Sequence, residues 1–144
     1  MKEQQHPTEI HPHFPSGEWE GLYGYFNYNL TDKMQFELEF SDGQVKGSGH
    51  DSVGSFSWTG SYDVNTGECQ ITKSYLGAHT VIYEGQADES GIKGNWKIGG
   101  SGFGEGTFHL WPKAQEEEAI EKAVKKLIKE VNASIKQEEL AEVK

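Results

Sequence analysis

Lys33-Met34-Gln35-Phe36-Glu37-Leu38-Glu39-Phe40 carries an apolar side chain at every even position and a polar or charged one at every odd position. A β-strand turns successive side chains to opposite faces, so this stretch has one buried and one wet face. The same period returns in Ser55-Phe56-Ser57-Trp58-Thr59-Gly60-Ser61-Tyr62 and in Ile92-Lys93-Gly94-Asn95-Trp96-Lys97-Ile98. Clean alternation of this kind belongs to antiparallel sheets, because parallel sheets covered on both faces read as continuous apolar runs.

Turn signals cut the surrounding chain at regular spacing. They are Leu30-Thr31-Asp32, Ser41-Asp42-Gly43, Asp51-Ser52-Val53-Gly54, Asn65-Thr66-Gly67, Leu76-Gly77-Ala78 and Asp88-Glu89-Ser90-Gly91, with a longer glycine-rich loop from Gly99 to Gly104. Glycine supplies positive φ at such places, and Asn or Asp bonds its own backbone. The intervals predict eight strands, near 18–29, 33–41, 44–51, 54–63, 68–75, 79–88, 91–98 and 105–111. Short connections imply a meander, and pairing the first strand with the last removes its two exposed edges. The predicted fold is therefore all-β: an eight-stranded antiparallel up-and-down barrel.

Parity assigns the interior. It takes Trp19, Gly21, Tyr23, Tyr25, Met34, Phe36, Leu38, Phe40, Val45, Gly47 and Gly49 from the first three strands. The rest comes from Phe56, Trp58, Gly60, Tyr62, Ile71, Lys73, Tyr75, Val81, Tyr83, Gly85, Ile92, Gly94, Trp96, Ile98, Phe108 and Leu110. Rings alternate with glycines, which suits the tapering interior of a small barrel.

Three regions divide the 144 residues. Residues 1–16 are polar and punctuated by His6-Pro7, His11-Pro12 and Phe14-Pro15, which predicts an extended or disordered arm. Residues 17–112 hold the barrel. In residues 113–144 the period changes: Ile120, Val124, Leu127, Ile128, Val131 and Ile135 form one helical stripe. Glu116, Glu117 and Glu118 favour the start of that helix, and Glu118–Lys122 and Glu121–Lys125 have stabilising i,i+4 spacing. At about 42 Å for 28 residues the helix outruns a small barrel. Its far end then projects, frays or meets another molecule, unless the helix folds back along the barrel wall or caps one end.

Composition narrows the function. A formal net charge of -10 argues against nucleic acid as a partner. Cys69 is the single cysteine, so neither an internal disulfide nor a Cys-rich zinc site is available. Neither a secretory leader nor a membrane helix can be read in the chain, which sets a membrane-free, cytoplasmic expectation.

The middle region resembles the calycin superfamily and, within it, the avidin family of eight-stranded barrels. Gly17-Glu18-Trp19 is similar to the Gly-x-Trp opening of lipocalins and avidins. Trp58-Thr59-Gly60-Ser61-Tyr62-Asp63 resembles the avidin fourth strand. His79-Thr80-Val81-Ile82-Tyr83-Glu84-Gly85-Gln86 resembles the sixth, with Tyr83 where the family has Trp, and Ile92-Lys93-Gly94-Asn95-Trp96 the seventh. The resemblance implies a barrel that binds a small molecule between aromatic walls. It stops short of biotin. Gly21 stands where the family has a ligand-contacting asparagine, Lys73 or Thr72 where it has a fifth-strand tryptophan, and the last-strand aspartate has no counterpart. The ending Phe108-His109-Leu110-Trp111-Pro112 is also similar to that of small uncharacterised bacterial domains.

Catalytic patterns are missing: there is no Ser-His-Asp order, phosphate loop or zincin motif. Glu37 and Glu39 share a wet face and do not flank a substrate. His6, His11 and His13 match no regular metal spacing, His50 and His109 have outward parity, and His79 has inward parity at a strand start. Lys73 is the oddity, an inward-facing charge. Its ammonium either snorkels to water at the barrel mouth or holds an anionic ligand group. The expectation is a non-enzymatic barrel, with no cofactor and no metal. It binds a small apolar or aromatic ligand through Trp19, Tyr23, Phe36, Trp58, Tyr62, Lys73, Tyr83 and Trp96. The alternative is a filled barrel that serves as a scaffold, with the C-terminal helix mediating self-association or docking. An eight-stranded barrel is wide enough for either outcome.

Overall fold

The computed structural model describes residues 8–26, 32–99 and 104–142. His6, the Leu30-Thr31 turn and the middle of the Gly99–Gly104 loop lie outside the described residues. The strands are β1 (Gly17–Tyr25), β2 (Asp32–Ser41), β3 (Gln44–His50), β4 (Ser55–Tyr62), β5 (Glu68–Tyr75), β6 (Thr80–Asp88), β7 (Gly91–Ile98) and β8 (Glu105–Pro112). Each pairs antiparallel with the next, and β1 also pairs with β8, Tyr23 lying opposite Phe108. The eight-stranded barrel is thus closed, and no strand is left with a free edge.

The alternation that defines β2 appears in its burial: Met34, Phe36, Leu38 and Phe40 are buried and Lys33, Gln35, Glu37 and Glu39 are exposed or partly so. The β2–β3 hairpin turns on Asp42 and Gly43, both at positive φ (49° and 76°), the pair of values a two-residue type I′ turn requires. Inside β3, Gly49 lies opposite Phe36 on one side and Phe56 on the other. A Cβ there would overlap Phe36. The missing side chains of β3 let rings from the flanking strands meet over it, Phe36 reaching Trp58 at 5.3 Å between centroids. The belt continues around the wall through Trp58–Tyr83 at 4.9 Å and Tyr83–Phe108 at 4.7 Å.

The two ends of the barrel are closed differently. At the end holding the β2–β3, β4–β5 and β6–β7 turns, the N-terminal segment folds over the opening. Phe14 is fully buried, with its ring 4.7 Å from Tyr62 and 5.5 Å from Phe40. Glu9 N donates to the Phe40 carbonyl at 2.9 Å, Tyr62 OH donates to Glu9 Oε1 at 2.8 Å, and Trp19 Nε1 donates to the Pro15 carbonyl at 2.8 Å. The arm predicted to be extended or disordered is therefore, over residues 8–16, a plug. Its prolines break regular structure without preventing packing.

Other differences are local. Tyr25, assigned inward, is 52% exposed, because it ends its strand at the rim and lays its ring against Trp96 at 5.1 Å. His79 is exposed because β6 begins one residue later, so strand parity does not govern it.

The helix α1 (Lys113–Glu142) forms a compact unit of its own. The expected pairs Glu118–Lys122 and Glu121–Lys125 form at 3.4 and 3.2 Å. Its stripe of Ile120, Val124, Leu127, Ile128, Val131 and Ile135 is about half exposed, 49–60%. Among the described residues no helix is long and apolar enough to cross a membrane.

Truncating a fully buried phenylalanine removes its packing and leaves a cavity. The Phe14→Ala variant is expected to lose about 3–5 kcal/mol in urea denaturation. A loss below about 1 kcal/mol would mean that the arm does not seal this end.

Candidate functional site

The opposite end carries the polar chemistry. Lys73 points inward from β5 and is fully buried, with no side-chain path to water. The snorkelling alternative is therefore corrected: the strand position lies one residue pair inside the rim, and the turn joining β3 to β4 covers it. The ammonium reaches across the lumen to Met34 Sδ of β2 at 3.2 Å and Tyr83 OH at 3.4 Å. Five rings surround it at 4.4–5.7 Å from their centroids: Phe56, Tyr23, Tyr75, Tyr83 and Trp58. An ammonium over aromatic faces gains electrostatically from the ring quadrupoles. That gain does not replace lost hydration, so a counter-charge is required.

Asp51 supplies it. Its carboxylate is fully buried and divides its work between two oxygens. Oδ2 accepts from Lys73 Nζ and from Tyr75 OH, each at 2.5 Å. Oδ1 accepts from the backbone N–H of Val53 at 2.9 Å and of Gly54 at 3.3 Å. One carboxylate thus folds the β3–β4 turn and fastens it to the lumen. Charge-assisted bonds of this kind are the strong ones.

Burial pushes the Lys73 pKa down and the Asp51 bond pulls it back, leaving it at about 8 against an ordinary 10.5. Burial pushes the Asp51 carboxyl up, but the bonds from Lys73 and Tyr75 and the lysine charge outweigh this and hold it below its ordinary value. Burial, reinforced by the Asp51 charge, raises Tyr23, Tyr75 and Tyr83. All three phenols stay neutral and available as donors. Trp58, 1% exposed, has no hydrogen-bond acceptor for its Nε1 among the described residues.

Of the eight residues expected at a ligand site, Tyr23, Trp58, Lys73 and Tyr83 meet here. Phe36 stands behind them against Phe56 and Trp58, and Trp96 packs edge-on against Tyr23 at 6.1 Å. Trp96 also donates to the Gly24 carbonyl at 3.1 Å. Trp19 and Tyr62 lie at the plugged end, bonded to the arm. Sequence reasoning missed Asp51, together with the site roles of Met34, Phe56 and Tyr75. For Asp51 a signal was available: it continues the inward parity of Val45, Gly47 and Gly49 one step past the strand.

No protein-family model, no curated protein and no solved structure matches the chain.

The titration of Lys73 tests this geometry. The unfolded chain keeps the lysine proton to about 10.5 and the folded protein releases it at about 8. Between those values the unfolded state binds more protons, so this group adds stability as pH rises through the window. Asp51 acts at the acid end, where its contribution is lost as pH falls through its lowered folded value. The Lys73 Cε resonance in NMR should titrate near 8, and a midpoint at 10.5 would contradict the buried cation.

Proposed function

We propose that the protein is a non-enzymatic barrel that binds a small apolar or aromatic ligand at the end of the lumen beneath the 51–54 turn. The observation that carries this reading is the fully buried Lys73 ammonium inside a ring-walled lumen. A core built only for stability has no use for it, since exchanging a buried ion pair for packed apolar residues is often neutral or stabilising. Rings with a few convergent polar groups are the usual lining of a small-molecule site. The resemblance to avidin-like and other calycin barrels supports the same reading. The ionisable groups of the cluster are bonded to one another and leave no free base beside a nucleophile, which fits binding better than catalysis. A reducing cytoplasm suits the chain, whose single thiol is buried and pushed up to about 12 by that burial.

A second reading concerns α1. Ile120, Val124, Leu127 and Val131 repeat at four-three-four spacing on a half-exposed stripe, the seam of a short coiled coil. The occupant it fits is a second copy of the same helix.

The uncharged dye phenylnaphthylamine tests the first reading. It should bind saturably, one per chain, with excitation passing to it from the buried tryptophans. Absence of saturable binding would refute a ligand-binding lumen. For the second reading, Leu127→Glu should lower the solution mass in light scattering to that of one chain while tryptophan emission stays unchanged. A wild-type protein already of single-chain mass would end that reading.

A further inference from the structure

Asp51 and Lys73 meet as more than charges. Lys73 Nζ lies 2.5 Å from Asp51 Oδ2, so the carboxyl carbon is one bond beyond the oxygen the amine already touches. Neither group is free to wander. Lys73 is fully buried on β5 with five rings about its ammonium, and the Asp51 side chain is equally buried. The turn that carries Asp51 is pinned a second time, by a bond between the Ser52 and Tyr23 hydroxyls. Reactants held at contact have the orientation that a bimolecular encounter must find by chance.

The donors around the carboxyl group divide by oxygen. The Val53 and Gly54 N–H groups donate to Oδ1, at 2.9 and 3.3 Å. Two backbone N–H groups on one oxygen are the arrangement that stabilises the oxyanion of acyl transfer. Tyr75 OH donates to Oδ2, the oxygen on the amine side. An amine, a carboxyl carbon, two oxyanion donors and a proton donor for a leaving oxygen thus converge on one atom. The surroundings favour the product as well. Two buried charges are costly even when paired, whereas an amide carries none.

We propose that Lys73 and Asp51 condense into an intramolecular isopeptide bond, an amide that the protein makes within itself and that ties β5 to the 51–54 turn. The ion pair is the precursor. One proton passes along the existing bond from Nζ to Oδ2, giving an amine and an acid. The Nζ lone pair attacks Asp51 Cγ, and the displaced carbonyl pair settles on Oδ1 beneath the Val53 and Gly54 N–H groups. Nζ then sheds a second proton, which Tyr75 OH relays to Oδ2. The carbonyl re-forms, the Cγ–Oδ2 bond breaks and Oδ2 departs as water. One ammonium and one carboxylate become one amide and one water, with no oxidant or outside reactant. Burial, which already draws Lys73 towards its neutral form, assists the first step. The Lys73 titration near 8 belongs to the precursor and disappears as the amide forms. The inference concerns the pair itself and stands apart from the small-ligand reading, which the dye tests.

Mass spectrometry of the denatured full chain, followed for days after purification, tests the proposal. The wild-type chain should become lighter by one water. Trypsin then locates the loss. It cleaves after lysine, so an unlinked chain yields 47–73 and 74–93, whereas an amide at Lys73 leaves 47–93 in one piece, lighter by one water. Tyr75→Phe should slow the change roughly a hundredfold. Lys73→Met cannot condense, and its mass should stay at the full value of its sequence whether or not it folds. A wild-type mass that stays at the full value overturns the proposal. So does a loss of water with normal cleavage after Lys73, the mark of a cyclic imide between Asp51 and Ser52.

Discussion

An ammonium removed from water needs an opposite charge close by, and that requirement organises one whole end of this barrel. Aromatic faces around Lys73 soften the cost but do not meet it. The inward positions around it are filled by Tyr23, Met34, Phe56 and Tyr83, and Asp32 at the start of β2 adds a coulombic pull without a hydrogen bond. The counter-charge comes from Asp51, in the turn above, and the turn is consequently drawn down over the opening. The phenols then fall into place as donors rather than acids, because the same burial and the same carboxylate keep their protons on.

Most of the architecture was legible as period two. The even positions of β2 and β4 point inward, the odd ones of β3 and β5 do so, and the register joins them as the alternation requires. The site was less legible, for an identifiable reason. Asp51 opens a stretch, Asp-Ser-Val-Gly, whose residues are those of a turn, and a turn residue is ordinarily assigned to solvent. Its side chain does serve the turn through Oδ1; only the second oxygen belongs to the lumen. Phe14 was hidden in the same way. Its flanking prolines signal irregular backbone, which says nothing of whether the ring between them is buried.

The two ends also differ in the kind of contact that holds them. At the plugged end Phe14, Phe40, Trp19 and Tyr62 form a ring cluster with backbone bonds from the arm. Among the described residues at the other end, Asp51 Oδ2 ties the 51–54 turn to Lys73 and Tyr75, and Ser52 of the same turn bonds Tyr23.

Closure of the barrel also sets an order in time. β1 finds its second neighbour in β8, so residues 17–25 wait for residues 105–112 before the sheet can shut. While the chain is being made, the strand synthesised first keeps an open edge longest, and that edge can recruit another chain. Contacts so distant in sequence also form slowly. Glycines at 21 and 24 in this strand, and charge on Glu18 and Glu20, lower its appetite for foreign strands during the wait. Gly21, where a Cβ would overlap Leu110 of β8, thus both lets the last strand dock tightly and guards the first one until it arrives.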